Sequence, residues 1–159
     1  MKKIVGVIVN PIAGMGGRVG LKGSDGEEIL RKAIDLGAVP VSPRRTLEAL
    51  KRLASIKSHI ELLTYPYEMG EEEAREIGFD PVVIGSIKRG ETMPSDTRRA
   101  GREMADAKVD LLLFSGGDGT ARDIYDAVGE TLPVLGIPSG VKIQSAVYAT
   151  TPMMAGELA

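Results

Sequence analysis

The chain reads as an α/β protein, a three-layer domain in which helices cover both faces of a parallel sheet. Short β-branched or leucine-rich runs alternate with segments of helical period, the pattern of parallel strands joined by crossover helices. Glycine-bearing loops follow three of the strand-like runs, at 10–26, 115–120 and 138–140. Ligands of such sheets sit beyond the carboxyl ends of the strands, where strand order reverses. The three loops therefore predict one shared site.

The first strand covers 3–9, a β-branched run suited to a strand buried on both faces. The loop 10–26 carries Gly14, Gly16, Gly17, Gly20, Gly23 and Gly26, which open backbone conformations closed to other residues. Ser24-Asp25-Gly26-Glu27 has the pattern of a capping box, starting a helix that runs to Leu36 and stops at Gly37. Ser42-Pro43 opens a second helix, striped by Leu47, Leu50, Leu53 and Ala54. A strand over 59–64 ends at Tyr65-Pro66, an acidic helix follows over 71–77, and a third strand covers 81–84. Ser95 is placed to cap a helix over 96–107. The run 109–114 is a buried strand that leads directly into Ser115-Gly116-Gly117-Asp118-Gly119-Thr120, with a helix over 120–128 behind it. The last strand covers 132–137, and a helix is expected over 143–149. Thr151-Pro152 then starts a helix with only seven residues beyond it, against a usual length of about eleven or twelve. The expected division is a nucleotide-binding α/β domain over 1–150, with 151–159 the start of a linker or helix toward a further domain.

Composition narrows the classes of function. The chain has 159 residues, enough for one domain that buries roughly 68–70% of its unfolded surface. A formal net charge of -2 supplies no basic field for nucleic acid or an anionic membrane. There is no cysteine, which excludes disulfides, thiolate metal sites and a cysteine nucleophile. His59 is the single histidine, so a multi-histidine metal site is excluded as well. No apolar run reaches membrane-spanning length and no signal-peptide pattern is present, so a cytoplasmic location is expected. Asn10 is the single asparagine and Gln144 the single glutamine, a scarcity that fits a thermophilic source and makes Asn10 conspicuous.

The chemistry concentrates in the glycine loops. No Gly-x-x-x-x-Gly-Lys-Ser/Thr phosphate loop exists, and Gly14-Met15-Gly16-Gly17-Arg18-Val19-Gly20 misses the dinucleotide fingerprint spacing by one position. The segment 115–120 is the stronger signal. A helix that starts behind a glycine turn presents free N–H groups to phosphate. Asp118 among them repels phosphate unless a metal intervenes, and suits a hydroxyl that it orients or deprotonates. The plainer reading is a tight strand-to-helix turn with Asp118 as the helix cap. Arg122 opposes the positive end of the helix dipole, which suggests a carboxylate or phosphate partner. Ser139 and Gly140 end a strand expected beside that of Gly116 and so can line the site. Asn10 either faces the ligand or caps a loop through an Asn-Pro turn. Arg18 and Lys142 are candidate phosphate contacts, and Arg98, Arg99 and Arg102, on one helix, either extend a phosphate site or, the plainer reading, form a solvated face. His59 has no partner of metal-binding type nearby, and Met153-Met154 suits packing against a surface.

Gly116-Gly117-Asp118-Gly119-Thr120 resembles the GGDGT motif shared by NAD kinases, diacylglycerol kinases and sphingosine kinases and, in related form, 6-phosphofructokinases. Asn10-Pro11-Ile12-Ala13-Gly14 is similar to the Asn-Pro-x-x-Gly motif of the same superfamily. Tyr67-Glu68-Met69-Gly70-Glu71, Asp96-Thr97-Arg98-Arg99-Ala100 and Gly136-Ile137-Pro138-Ser139-Gly140-Val141-Lys142 resemble its ATP-NAD kinase-like branch. The resemblance spans nearly the whole chain. It implies an α/β N-terminal domain with the active site between it and a β-rich C-terminal domain that is absent here. Asp118 would contact the acceptor hydroxyl as general base, with Gly116, Gly117, Gly119 and Thr120 along the phosphates. Asn10, Pro11 and Gly14 would lie near the nucleotide. The implied donor is ATP with Mg2+, polyphosphate being the other possibility, and the implied acceptor is the adenosine ribose 2′-hydroxyl of NAD. A lipid or small polyol acceptor, and a nucleotide-sensing module without catalysis, are the other readings. The second domain's Asn-Glu motif is missing, and Gln144 stands where the branch often has His. The family also implies a homo-oligomer at full length.

Overall fold

The computed structural model describes residues 1–13, 15, 27–139 and 146–159. Five strands form one sheet in the order β3-β2-β1-β4-β5. They are β1 (Lys3–Val9), β2 (Ile60–Thr64), β3 (Val82–Val83), β4 (Leu111–Gly116) and β5 (Val134–Pro138). Every pairing is parallel, with Val7 opposite Thr64 on one side and Leu113 on the other. A parallel sheet must be covered on both faces, and the strand residues divide accordingly. Val5, Val7, Val9, Leu62, Leu113 and Ile137 enter one apolar cluster, while Ile8, Leu63, Leu112 and Phe114 enter another on the opposite face.

The helices are α1 (Glu27–Asp35), α2 (Ser42–Leu53), α3 (Glu71–Glu76), α4 (Pro94–Asp106), α5 (Asp118–Val128) and α6 (Pro152–Leu158). Ala49, Leu50 and Leu53 of α2, Ala74 of α3 and Ala155 of α6 complete the first cluster. Ala100 and Met104 of α4 and Ala121, Ile124 and Val128 of α5 complete the second. The result is the three-layer α/β architecture that the alternating pattern predicts.

The switch point falls between β1 and β4. From β1 the chain lays β2 and β3 outward on one side, then crosses back to lay β4 and β5 on the other. The connections leaving β1 and β4 therefore diverge at their carboxyl ends and leave a crevice between them.

Several boundaries differ from the sequence expectation, each for a physical reason. Helix α4 begins at Pro94, with Met93 rather than Ser95 as its N-cap. Pro94 is preset for the first turn, and the Asp96 carboxylate accepts the Met93 N–H at 2.8 Å in place of a serine cap. Helix α5 begins at Asp118, two residues before the expected start at Thr120, because Gly117 takes the N-cap position. The strand expected over 81–84 is reduced to Val82–Val83 at the sheet edge, and His59 ends a 3-10 turn rather than opening β2. The helix expected over 143–149 does not form across its described part. Tyr148 instead makes a parallel bridge to Gly136, with Gly136 N–H donating to Val147 O and Ala149 N–H to Gly136 O. The capping sequence 24–26, the residues 143–145, and Arg18, Gly14, Gly140 and Lys142 lie outside the described residues.

Candidate active site

The site begins with the backbone at the ends of β1 and β4. Asn10 leaves β1 and donates its own N–H to Ser115 O at 2.9 Å, so the two strands stay paired to their last residues. Its side chain then works in two directions. Oδ1 accepts from Ile12 N–H at 3.3 Å, closing the Asn-Pro turn, and Nδ2 donates to Thr120 Oγ1 at 3.0 Å. The two readings of Asn10 coincide, since one side chain closes its own loop and ties it to the glycine motif 110 residues away.

Gly116 packs where no other residue fits. A Cβ there would lie 2.2 Å from Thr120 Oγ1 and 2.4 Å from Thr120 Cβ. The missing side chain lets the Thr120 hydroxyl fold back beneath the loop, where it is buried and meets Asn10. The Gly117 carbonyl then accepts the Ala121 N–H at 3.0 Å, the first bond of α5. Asp118, Gly119 and Thr120 occupy the first turn, whose N–H groups have no intrahelical acceptor. This is a ready anion-binding end of a helix.

β5 buttresses the same corner. Ser139 N–H donates to Gly116 O at 3.1 Å. The Ser115 and Ser139 hydroxyls meet at 2.9 Å, fully enclosed. Ser139 therefore lies in the frame of the loop, its hydroxyl turned to Ser115 rather than to solvent. Behind the loop, the Tyr148 hydroxyl donates to Gly117 O, and its ring packs edge-on against Phe114 at 5.3 Å. Burial raises the Tyr148 pKa well above the ordinary tyrosine value, and the nearby Asp118 carboxylate adds to the rise. The phenol stays protonated and remains a donor.

Asp118 itself lines a cleft of about 500 Å³ along α5, together with Arg122, Tyr125, Phe114, Ile124 and Val147. Arg122 and Tyr125 are exposed at its rim. An acidic residue in the first turn is favoured by the helix dipole, so Asp118 is compatible with its half-buried position on the cleft wall. Arg122 sits one turn behind it, where a bound anion would offset its unfavourable place near the helix N-terminus.

The loops thus bring together Asn10, Gly116, Gly117, Asp118, Gly119, Thr120 and Ser139. Pro11 forms the turn beside them, and Gly14 and Gly140 lie outside the described residues. The arginines of α4 serve elsewhere. Arg98 pairs with Asp123 at 2.7 Å, while Arg99 bonds Asp96 at 2.6 Å and Ser86 O at 2.8 Å. His59 contacts only Ser58 among the bonds described and lies at the opposite, amino end of β2. Sequence reasoning missed Tyr148 and the Ser115 hydroxyl. A lone tyrosine in a small-residue run after the last strand was the available signal, and it was absorbed into the expected helix.

The model of the ATP-NAD kinase N-terminal domain matches residues 5–159 of the chain. Among solved structures, a diacylglycerol kinase from Bacillus anthracis str. Sterne aligns at 20% identity and a TM-score of 0.40, over 87% of this chain and 33% of its own. A UDP-GlcNAc 2-epimerase from Neisseria meningitidis bound to UDP-GlcNAc aligns at 11% identity and a TM-score of 0.46, over 85% of this chain and 32% of its own. The chain thus spans about a third of the length of these structures. No curated protein matches it. Among the described residues, no helix is long and apolar enough to cross a membrane.

Proposed function

Because the chain belongs to the ATP-NAD kinase family as its N-terminal domain, we propose that it is the nucleotide-binding half of a phosphotransferase. The donor is ATP, the acceptor is the adenosine ribose 2′-hydroxyl of NAD, and the product is NADP. The observation that carries this reading is the place of Asp118. It stands in the first turn of α5, next to the sheet's switch point, and borders the cleft that runs along α5 from there toward Gly129 and Val134. A carboxylate next to free helix N–H groups is what phosphoryl transfer to a hydroxyl requires. The N–H groups hold phosphate oxygens, and the carboxylate orients the incoming hydroxyl and accepts its proton. The acceptor oxygen bonds to the γ-phosphorus as the bond to the β,γ-bridging oxygen breaks, and ADP leaves. Asn10 and Thr120 hold the two loops in register around that step.

Magnesium would arrive on the triphosphate and spread its negative charge. Among the described residues no group of three or more acidic or histidine side chains stands ready to hold an ion. Magnesium bound to phosphates keeps several waters and needs few protein ligands, so the triphosphate can carry it while Asp118 serves the hydroxyl.

Calorimetric titration of the chain with ATP–magnesium, NAD and polyphosphate, beside an Asp118→Asn variant, tests where the ligand binds. Assay of NADP formation by the protein at full length tests the reaction. Asp118→Asn should keep the fold and reduce turnover on the order of 10²–10⁴-fold. Normal turnover by that variant would remove Asp118 from the role of base.

A further inference from the structure

The Gly136 motif and the segment around Tyr148 take no part in the reaction just described, yet both press on the back of the glycine loop. We propose that Tyr148, seated against Gly136, is a positioning residue that fixes the Gly117–Asp118 peptide and thereby aims Asp118. This rests on the phosphotransferase reading for its effect on turnover, though not for its effect on structure.

Three contacts set the arrangement. Gly117 O accepts two bonds, from Ala121 N–H inside α5 and from the Tyr148 hydroxyl outside it. Both lone-pair directions of that carbonyl are then used, and the peptide plane that carries the Asp118 N–H loses its freedom to rotate. The Tyr148 ring is held in turn. It packs on Phe114 of β4, and a Cβ on Gly136 would lie only 2.3 Å from it. Glycine at 136 is thus required by space, since its φ is not in the left-handed region. Finally, Tyr148 is pinned by backbone bonds on either side of it, Gly136 N–H donating to Val147 O and Ala149 N–H donating to Gly136 O. The aromatic side chain is therefore a strut from β5 to the N-cap of α5. Its burial keeps it protonated, so the donor is present at every working pH.

The arrangement makes separate demands on two variants. Tyr148→Phe keeps the ring and removes only the hydroxyl. Gly136→Ala keeps the hydroxyl and displaces the ring. Both should loosen the α5 N-terminus alone. Amide hydrogen exchange in the whole chain reads this directly, because the Ala121 N–H bonds to Gly117 O while the Val7 N–H lies in the β1 core. Exchange at Ala121 should quicken about tenfold in each variant, with Val7 unchanged. In the protein at full length, kcat should fall about tenfold with little change in KM for ATP, because the phosphate-binding N–H groups remain and only the aim of Asp118 is lost.

Unchanged exchange at Ala121 in Tyr148→Phe would overturn the proposal. So would equal acceleration at Ala121 and Val7, which would make Tyr148 an ordinary stabilising residue. If exchange responds as expected but the wild-type protein forms no NADP from ATP or polyphosphate, the strut stands and the phosphotransferase reading fails. If NADP forms and Tyr148→Phe keeps wild-type kcat, the strut has no part in aiming Asp118 and that part of the proposal falls.

Discussion

At the scale of single residues, the corner of the site is governed by space that one glycine leaves to one threonine. Thr120 is nearly fully buried, yet its hydroxyl is satisfied because Asn10 reaches it across the crevice. An alanine at 116 would press on the β-branched carbon of Thr120 at 2.4 Å, where no flexible tip can swing aside. Gly116→Ala is expected to destabilise the chain by about 1–3 kcal/mol through overpacking and to break the Asn10–Thr120 bond. Denaturant unfolding gives the check. In a Thr120→Gly background, where the clashing atoms are gone, the same substitution should cost much less than in the native background. Equal costs in both would mean that Gly116 is required for another reason. Part of this corner was legible in the sequence. The motif singled out Asn10, Asp118 and the glycines, since their types suit phosphate and hydroxyl chemistry. The Asn10–Thr120 bond and the Ser115–Ser139 pair were not legible, because they join residues far apart in sequence and leave no local pattern.

At the scale of elements, strands were the most legible. A strand covered on both faces must be apolar throughout, so β1 and β4 stand out as continuous runs. The expected helix near 143–149 misled because Ala146-Val147-Tyr148-Ala149 suits either period, and a backbone pairing with Gly136 settles its described part. The short helix α3 carries a further tension. Glu71, Glu72 and Glu73 fill its first turn, where negative charge is favourable, but Glu73 points inward and is only 4% exposed. Among the described residues its Oε2 has no hydrogen-bond partner. Burial raises its pKa to about 7, with Glu72, Glu68 and Glu76 adding repulsion. The folded state therefore holds a proton that the unfolded chain has released between pH of about 4.5 and 7. Because the folded form binds more protons there, stability falls as pH rises through that window, on the order of 3 kcal/mol in all. Glu73→Gln removes the ionisation and keeps the shape. Urea unfolding at pH 5 and pH 8 should show the native chain weaker at pH 8 and the variant nearly level between the two. A native chain that is more stable at pH 8 would contradict the assigned burial.

At the scale of the whole molecule, the strand order matters more than any one residue. The β3-β2-β1-β4-β5 order places the ends of β1 and β4 side by side with their following segments turned apart. Two loops that are distant in sequence then share one crevice. The sequence pattern predicted a parallel sheet and three loops at strand ends, but strand order is a tertiary property and only the fold supplies it. Cross-bonds also span the sheet at this edge, from Asn10 to Ser115 and from Gly116 to Ser139. A ligand seated here touches segments that only the folded sheet brings together, so its binding energy opposes unfolding of the whole domain. A ligand that binds only the folded form, at a hundredfold its dissociation constant, stabilises by about 2.7 kcal/mol. For a domain of this size that is a rise of roughly 5–10 °C in the unfolding midpoint. Thermal unfolding of the chain with and without ATP–magnesium should show such a rise. In Asn10→Ala the rise should shrink, because the β1 loop is no longer tied to Thr120. A midpoint that ignores ATP–magnesium, while NAD or polyphosphate raises it, would leave the crevice as the binding site and change the donor. A midpoint that ignores all three would mean that the crevice of this chain does not hold a nucleotide by itself.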